Sequence, residues 1–394
     1  MISNKMQELV ASSSVIRAMF EEGKRLSALY GPENVYDFSL GNPNVVPPDS
    51  VKTSIVRIVE EENPTVLHGY MNNSGYEDVR QCIASSLNSQ HGGTLDASHI
   101  VMTCGAAGGL NILLKTLLNP EDEVIVFAPF FGEYRHYVSN FDGKIVVIPA
   151  NLPSFQPNFD ALTQAITPCT KAVIINTPNN PTGIIYSHET LTTLSELLNQ
   201  KQHELGTSIY LISDEPYREL VYDGVPVPYI LDYYKNAFIG YSYSKSLSLP
   251  GERIGYIVVH PEIDALSDVL NALNVANRIL GFVNAPSLFQ KVIADCIHAE
   301  VDVAIYKRNR DLLFNHLTTL GFECVEPQGA FYLFPKALIA DDKAFCEVAK
   351  TLNLLLVPGS SFGCPGYVRL AYCTSYEMIE RSLPAFTKLV EYFK

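Results

Sequence analysis

Between about residues 99 and 260 the chain repeats one unit: a short run of apolar, often β-branched residues, then a turn, then a stretch with helical spacing. The runs fall at 99–103, 124–128, 144–148, 171–177, 209–213, 237–241 and 254–260. Most are apolar throughout rather than alternating, which predicts strands buried on both faces. Strands that alternate with helices predict an α/β fold, here a mostly parallel seven-stranded sheet covered by helices. Residues 191–205 and 264–277 read as helices by spacing, and 286–317 as one long helix with Pro286 in its first turn. Beyond it, short strands are expected near 331–334 and 367–371, with a helix from Ser375 onward. The expected division is an N-terminal segment, 1–48, packing with a smaller α+β domain at 291–394, and a large domain at 49–290 between them.

Composition narrows the class. With 47% hydrophobic and 18% charged residues, the chain has ample apolar material for a sizeable core. The formal charge of -14 and the lack of a dense basic run argue against nucleic acid and against anionic membranes as partners. Eight cysteines without a Cys-x-x-Cys pair predict reduced, buried thiols and no metal. Residues 1–20 lack the continuous apolar stretch of a signal peptide, and no segment approaches the roughly 20 apolar residues of a membrane span. A cytoplasmic location is expected.

In open α/β sheets, ligands gather outside the carboxyl ends of the strands. Five predicted strands end in chemistry-bearing residues: Thr103-Cys104-Gly105-Ala106-Ala107-Gly108, Pro129-Phe130-Phe131, Asn179-Asn180-Pro181-Thr182-Gly183, Asp214-Glu215-Pro216-Tyr217 and Ser242-Tyr243-Ser244-Lys245. An anion cradle, an aromatic face, an amide, a carboxylate, a phenol and a lysine would then share one crevice. Lysine condenses with aldehydes, and only its neutral amine does so. A glycine-rich turn opening a helix offers backbone amides to a phosphate.

In order and approximate spacing, these pieces resemble the fold-type I aminotransferases, the pyridoxal-phosphate-dependent family that includes aspartate aminotransferase. The resemblance runs from the Gly41-Asn42-Pro43 turn to Arg369 and rests on Asn180-Pro181-Thr182-Gly183, Asp214-x-x-Tyr217, Ser242-x-x-Lys245 and Gly251-Glu252-Arg253-Ile254-Gly255 taken together. It implies that Lys245 carries pyridoxal 5'-phosphate and shuttles a proton at the substrate α-carbon. It implies that Asp214 faces the ring nitrogen, that Asn180 and Tyr217 bond the ring oxygen, and that Phe131 stacks on the ring. Gly105, Ala106, Ala107, Ser242 and Arg253 would hold the phosphate, joined by Tyr70 of a second subunit in a homodimer. Gly41, Asn180 and Arg369 would bind the substrate, Arg369 by gripping its α-carboxylate with a fork that lysine cannot reproduce.

The implied reaction is a ping-pong transfer of an amino group from an L-amino acid to a 2-oxo acid, with aspartate or a broad range of amino acids as donor. Arg278, shortly before Asn284-Ala285-Pro286, is the candidate for a side-chain carboxylate, against the plainer reading of a solvated arginine at a helix end. A C–S β-lyase on the same fold is the nearest alternative. A Rossmann dehydrogenase is a weaker one, because the glycines do not follow Gly-x-Gly-x-x-Gly. A transcriptional regulator is rejected, since only about forty residues precede Gly41 and they hold no basic helix-turn-helix.

Overall fold

The computed structural model describes residues 2–11 and 15–394, so part of the 1–20 stretch read above lies outside the described residues. Strand β1 (Tyr36–Asp37) comes first, followed by β2 (Ile100–Thr103), β3 (Glu123–Phe127), β4 (Lys144–Ile148), β5 (Thr170–Asn176), β6 (Tyr210–Asp214), β7 (Ala237–Ser242) and β8 (Gly255–Val259). The last seven form one sheet in the order β2-β8-β7-β6-β5-β3-β4, parallel except for β8, which runs antiparallel to both its neighbours. All seven expected runs are strands of this sheet. β2, β7 and β8 are buried along their whole length, because helices cover both faces. Helices Gly105–Leu117 and Leu266–Ile279 seal one face around Leu113, Ile212 and Leu273. On the other, Glu77–His91, His188–Leu205 and Ser287–Asp295 pack around Ile83, Leu194, Ile239 and Ile293.

The remaining strands are short: β9 (Tyr332–Leu333), β10 (Leu354–Leu355), β11 (Val357–Pro358) and β12 (Val368–Ala371). β12 lies between β11 and β9, antiparallel to both. β1 pairs in parallel with β10, and Phe38 joins the core formed by Phe331, Phe345, Leu370 and Phe386, so chain from both ends shares one apolar cluster.

The single helix expected over 286–317 is not formed. Two helices take its place, Ser287–Asp295 and Val303–Thr319, separated at Cys296–Asp302. Asp302 starts the second by accepting a hydrogen bond from the Ala304 backbone N–H, the usual work of an N-cap aspartate. Pro286 stands at the N-cap of the first helix rather than within its first turn. The cysteine expectation is also corrected in part. All eight are free, but Cys169 is exposed and only Cys296, Cys346, Cys364 and Cys373 are buried. Among the described residues no helix is long and apolar enough to cross a membrane.

Candidate active site

A cleft of about 350 Å³ opens beyond the carboxyl ends of the central strands, walled on its other side by residues 40–41, 332 and 369. Asp214 is the last residue of β6 and Ser242 the last of β7, so both are delivered to this edge by strands fixed in register. Ser242 caps the short helix Tyr243–Ser246, which turns Lys245 into the cleft. Asn176 ends β5. Its side chain accepts from the Asn180 N–H at 2.7 Å and donates to the Asp214 carbonyl at 2.7 Å, so it ties the two neighbouring loops together.

Lys245 Nζ donates to the Gly41 carbonyl at 2.7 Å and has no carboxylate partner among the described residues. Burial brings its amine down to about 8, helped by the positive charges of Arg369 and Arg253. Burial therefore dominates over the neighbouring charges.

Asp214 is buried with one oxygen satisfied: Oδ2 accepts from the Tyr134 hydroxyl at 2.6 Å, while Oδ1 has no hydrogen-bond partner. Burial pushes this carboxyl up to about 7, against the Tyr134 hydrogen bond and with help from the Glu215 charge. An unsatisfied buried carboxylate oxygen costs stability unless a donor or cation meets it.

Arg369, in β12, is 2% exposed. Its Nη1 donates to Asn180 Oδ1 at 3.1 Å and its Nη2 to the Ser39 carbonyl at 2.5 Å, while Nε is unpartnered. The guanidinium lies over the rings of Tyr332 (4.7 Å) and Phe362 (4.9 Å). It has no acid partner among the described residues.

Gly105 and Arg253, two of the residues expected to hold a phosphate, meet at the start of helix Gly105–Leu117, whose first N–H groups have no partner within the helix. Arg253 holds a left-handed backbone at φ 54° and reaches back toward the Cys104 carbonyl. Gly105, at φ +71°, is packed so closely on it that a Cβ would lie 2.7 Å from Nη2. Ala106, Ala107 and Ser242 also line the cleft, as does Phe131, which stands edge-on to Tyr134.

Gly41 lines the cleft and is packed tightly against Tyr332. A Cβ there would come 2.1 Å from the Tyr332 hydroxyl. Two of the expected residues fall outside the cleft. Tyr70 is 93% exposed, and Arg278 is exposed in the last turn of helix Leu266–Ile279.

Sequence reading missed Tyr134, Asn176 and Tyr332. Each sits among apolar or turn residues, where an aromatic or amide reads as core or loop. The available signal is that a buried tyrosine hydroxyl must find a partner, and it says nothing of which partner.

A family model for aminotransferases of class I and II matches residues 33–386. An aspartate aminotransferase from Thermotoga maritima is 29% identical over 97% of each chain. The crystal structure of an amino transferase from Eubacterium rectale superposes with a TM-score of 0.97 at 47% identity over the whole of both chains. The Thermus thermophilus aspartate aminotransferase solved with maleate gives 0.87 at 26% identity over 99% of each. The chain therefore belongs to the class I and II aminotransferases. It is a pyridoxal-phosphate-dependent enzyme that passes the amino group of an amino acid to a 2-oxo acid, and the lyase alternative is not favoured. The residues present suit that cofactor: Asp214 Oδ1 waits for a donor, and the start of helix Gly105–Leu117 with Arg253 suits a phosphate.

Proposed function

We propose that Lys245 is the attachment point and proton carrier, that Asp214 Oδ1 meets the ring nitrogen, and that Asn180 and Tyr217 meet the ring oxygen. Phe131 stacks on the ring. The phosphate lies on Gly105, Ala106, Ala107, Ser242 and Arg253, and Arg369 with Gly41 holds the substrate α-carboxylate. The observation that carries this reading is the gathering, in one cleft, of an amine without an acid, a carboxylate oxygen without a donor and a buried guanidinium without an anion. When bound, pyridoxal phosphate supplies the electron sink for the pair left as the substrate Cα–H bond breaks.

The protein does the rest. Arg369 fixes the carboxylate, which orients the Cα–H bond. Lys245, with its amine brought down to about 8, takes that proton near neutral pH and returns it. An amino acid enters and leaves as its 2-oxo acid, then a second 2-oxo acid leaves as an amino acid.

The finer assignments extend this reading. The enzyme works as a homodimer in which Tyr70 completes the phosphate cup of the other subunit. Its exposure in the single chain supports this. Aspartate is the amino donor, with Arg278 reaching the other subunit's substrate in the same way. The names of the Thermotoga and Thermus relatives support that choice. The chain divides near residue 290 into a large cofactor-binding domain and a small one shared by both ends, and the eight free thiols suit the cytoplasm.

The purified protein should be yellow, and borohydride should fix the cofactor on the peptide containing Lys245. In a screen against 2-oxoglutarate, oxaloacetate and pyruvate, aspartate should outpace alanine. Labelling at another lysine overturns the site, and equal rates for the two amino acids return Arg278 to the solvent.

A further inference from the structure

Tyr332 belongs to no motif, yet it touches three of the cleft's groups at once. It is 2% exposed, in β9. Its hydroxyl lies 2.9 Å from that of Tyr217. The Arg369 guanidinium stands 4.7 Å from its ring centroid. The Gly41 main chain is packed against the same hydroxyl with no room for a Cβ, and the Gly41 carbonyl is the acceptor for Lys245.

We propose that Tyr332 is a positioning residue for transamination, whose hydroxyl sets the direction and strength of the Tyr217 hydrogen bond while its ring supports Arg369. The inference rests on the role given above to Tyr217. Two hydroxyls in contact share one hydrogen between them. When Tyr332 donates it, the Tyr217 O–H has to point elsewhere, and the cleft is the side that offers an acceptor once loaded. A hydroxyl that accepts one hydrogen bond is polarised into a better donor of the next, more so where water is excluded.

The charged and titratable groups facing the pair are Asp214 from β6, Tyr134 that donates to it, Arg369 from β12 and Cys373 just beyond it. Lys245 faces Cys373 and Arg369 from the turn after β7. Burial pushes the Cys373 thiol up to about 12, so it stays neutral, and Arg369 stays charged. Neither changes state across the neutral range.

The test compares the cofactor-loaded enzyme with Tyr332→Phe, Tyr332→Leu and Tyr217→Phe, by the pH titration of the bound cofactor's absorbance and by kcat and KM separately. Weaker donation from Tyr217 leaves the ring oxygen more basic, so the chromophore should hold its proton to higher pH. Tyr332→Phe should raise that midpoint by roughly 0.4–1 pH unit, the size of one lost neutral hydrogen bond, with KM within about twofold. Tyr332→Leu should show the same shift and also raise KM by about 2- to 30-fold, through loss of the ring beneath Arg369. If Tyr217→Phe moves the midpoint and Tyr332→Phe does not, the proposal falls while the role of Tyr217 stands. If Tyr217→Phe also leaves it unmoved, the reading of Tyr217 fails and takes the proposal with it.

Discussion

Arg310 and Arg369 are both buried, and the protein provides for them in opposite ways. Arg310, in helix Val303–Thr319, donates Nε to Asp311 at 2.7 Å, Nη2 to Asp223 at 2.9 Å and Nη1 to the Pro327 carbonyl at 2.9 Å. Arg369 has two aromatic rings, an amide oxygen and a carbonyl, with Nε left over. The same contrast separates the adjacent residues Asp214 and Glu215. Glu215 is met by Ser213 at 2.7 Å and Arg218 at 2.6 Å, while Asp214 has only Tyr134. A buried charge that is fully paired clasps the fold together. One left partly unpaired costs stability that only a ligand restores. The difference separates a charge that the fold satisfies by itself from one that it leaves open to a ligand.

That distinction can be broken most easily at Asp214. In Asp214→Asn the shape survives and the charge does not, so the protein should still take up cofactor while kcat falls by ~10²–10³, the range for electrostatic groups in catalysis. Near-normal turnover would mean that Oδ1 faces nothing of consequence. Arg369→Lys keeps the charge and loses the fork. Its kcat/KM should fall by roughly 10- to 100-fold, as expected for one charge-assisted hydrogen bond, with melting temperature little changed. A large drop in melting temperature would make Arg369 a clasp like Arg310.

Lys245 sharpens the comparison through pH. Its amine, brought down to about 8 chiefly by burial, is half neutral there rather than near its ordinary 10.5. Only the neutral amine reacts with an aldehyde, so cofactor uptake by stripped protein should accelerate about tenfold from pH 7 to 9 and then level off. A rate still climbing at pH 10 would place the lysine in a wetter setting. The smallest effect on activity belongs to Arg310→Lys. It should cost about 1–3 kcal/mol of stability, read by urea unfolding, and leave kcat/KM within about twofold.

The large sheet was legible because its strands are buried on both faces, so their apolar runs stand out from the helices between them. Asp214 was legible for a related reason, as a polar residue that ends an apolar run, whereas Asn180 and Lys245 lie three or four residues beyond β5 and β7 and were picked out by the motifs around them. Arg369 betrayed itself as one charge inside an apolar strand. The break at Cys296–Asp302 was not legible, since no glycine or proline marks it and Asp302 reads equally well as a solvent-facing residue of a continuous helix. Tyr134 and Tyr332 were hidden by their rings, which suit a core position whether or not the hydroxyl has work to do. Tyr70 and Arg278 matter, if the dimer is as proposed, through a surface that a single chain does not display.

The parallel pairing of β1 with β10 also sets an order of events during synthesis. Tyr36 and Asp37 leave the ribosome early, yet Leu354 and Leu355 follow roughly 300 residues later. At about 5–20 residues per second that is roughly 15–60 s of waiting. All seven strands of the large sheet emerge within that interval, while Phe38 still lacks the C-terminal residues that bury it. A nascent chain halted before residue 354 would therefore hold Asp214 at the end of β6 while its sticky N-terminal arm, with the Gly41 carbonyl that meets Lys245, is still undocked, a target for chaperones or proteases until Leu354 and Leu355 arrive.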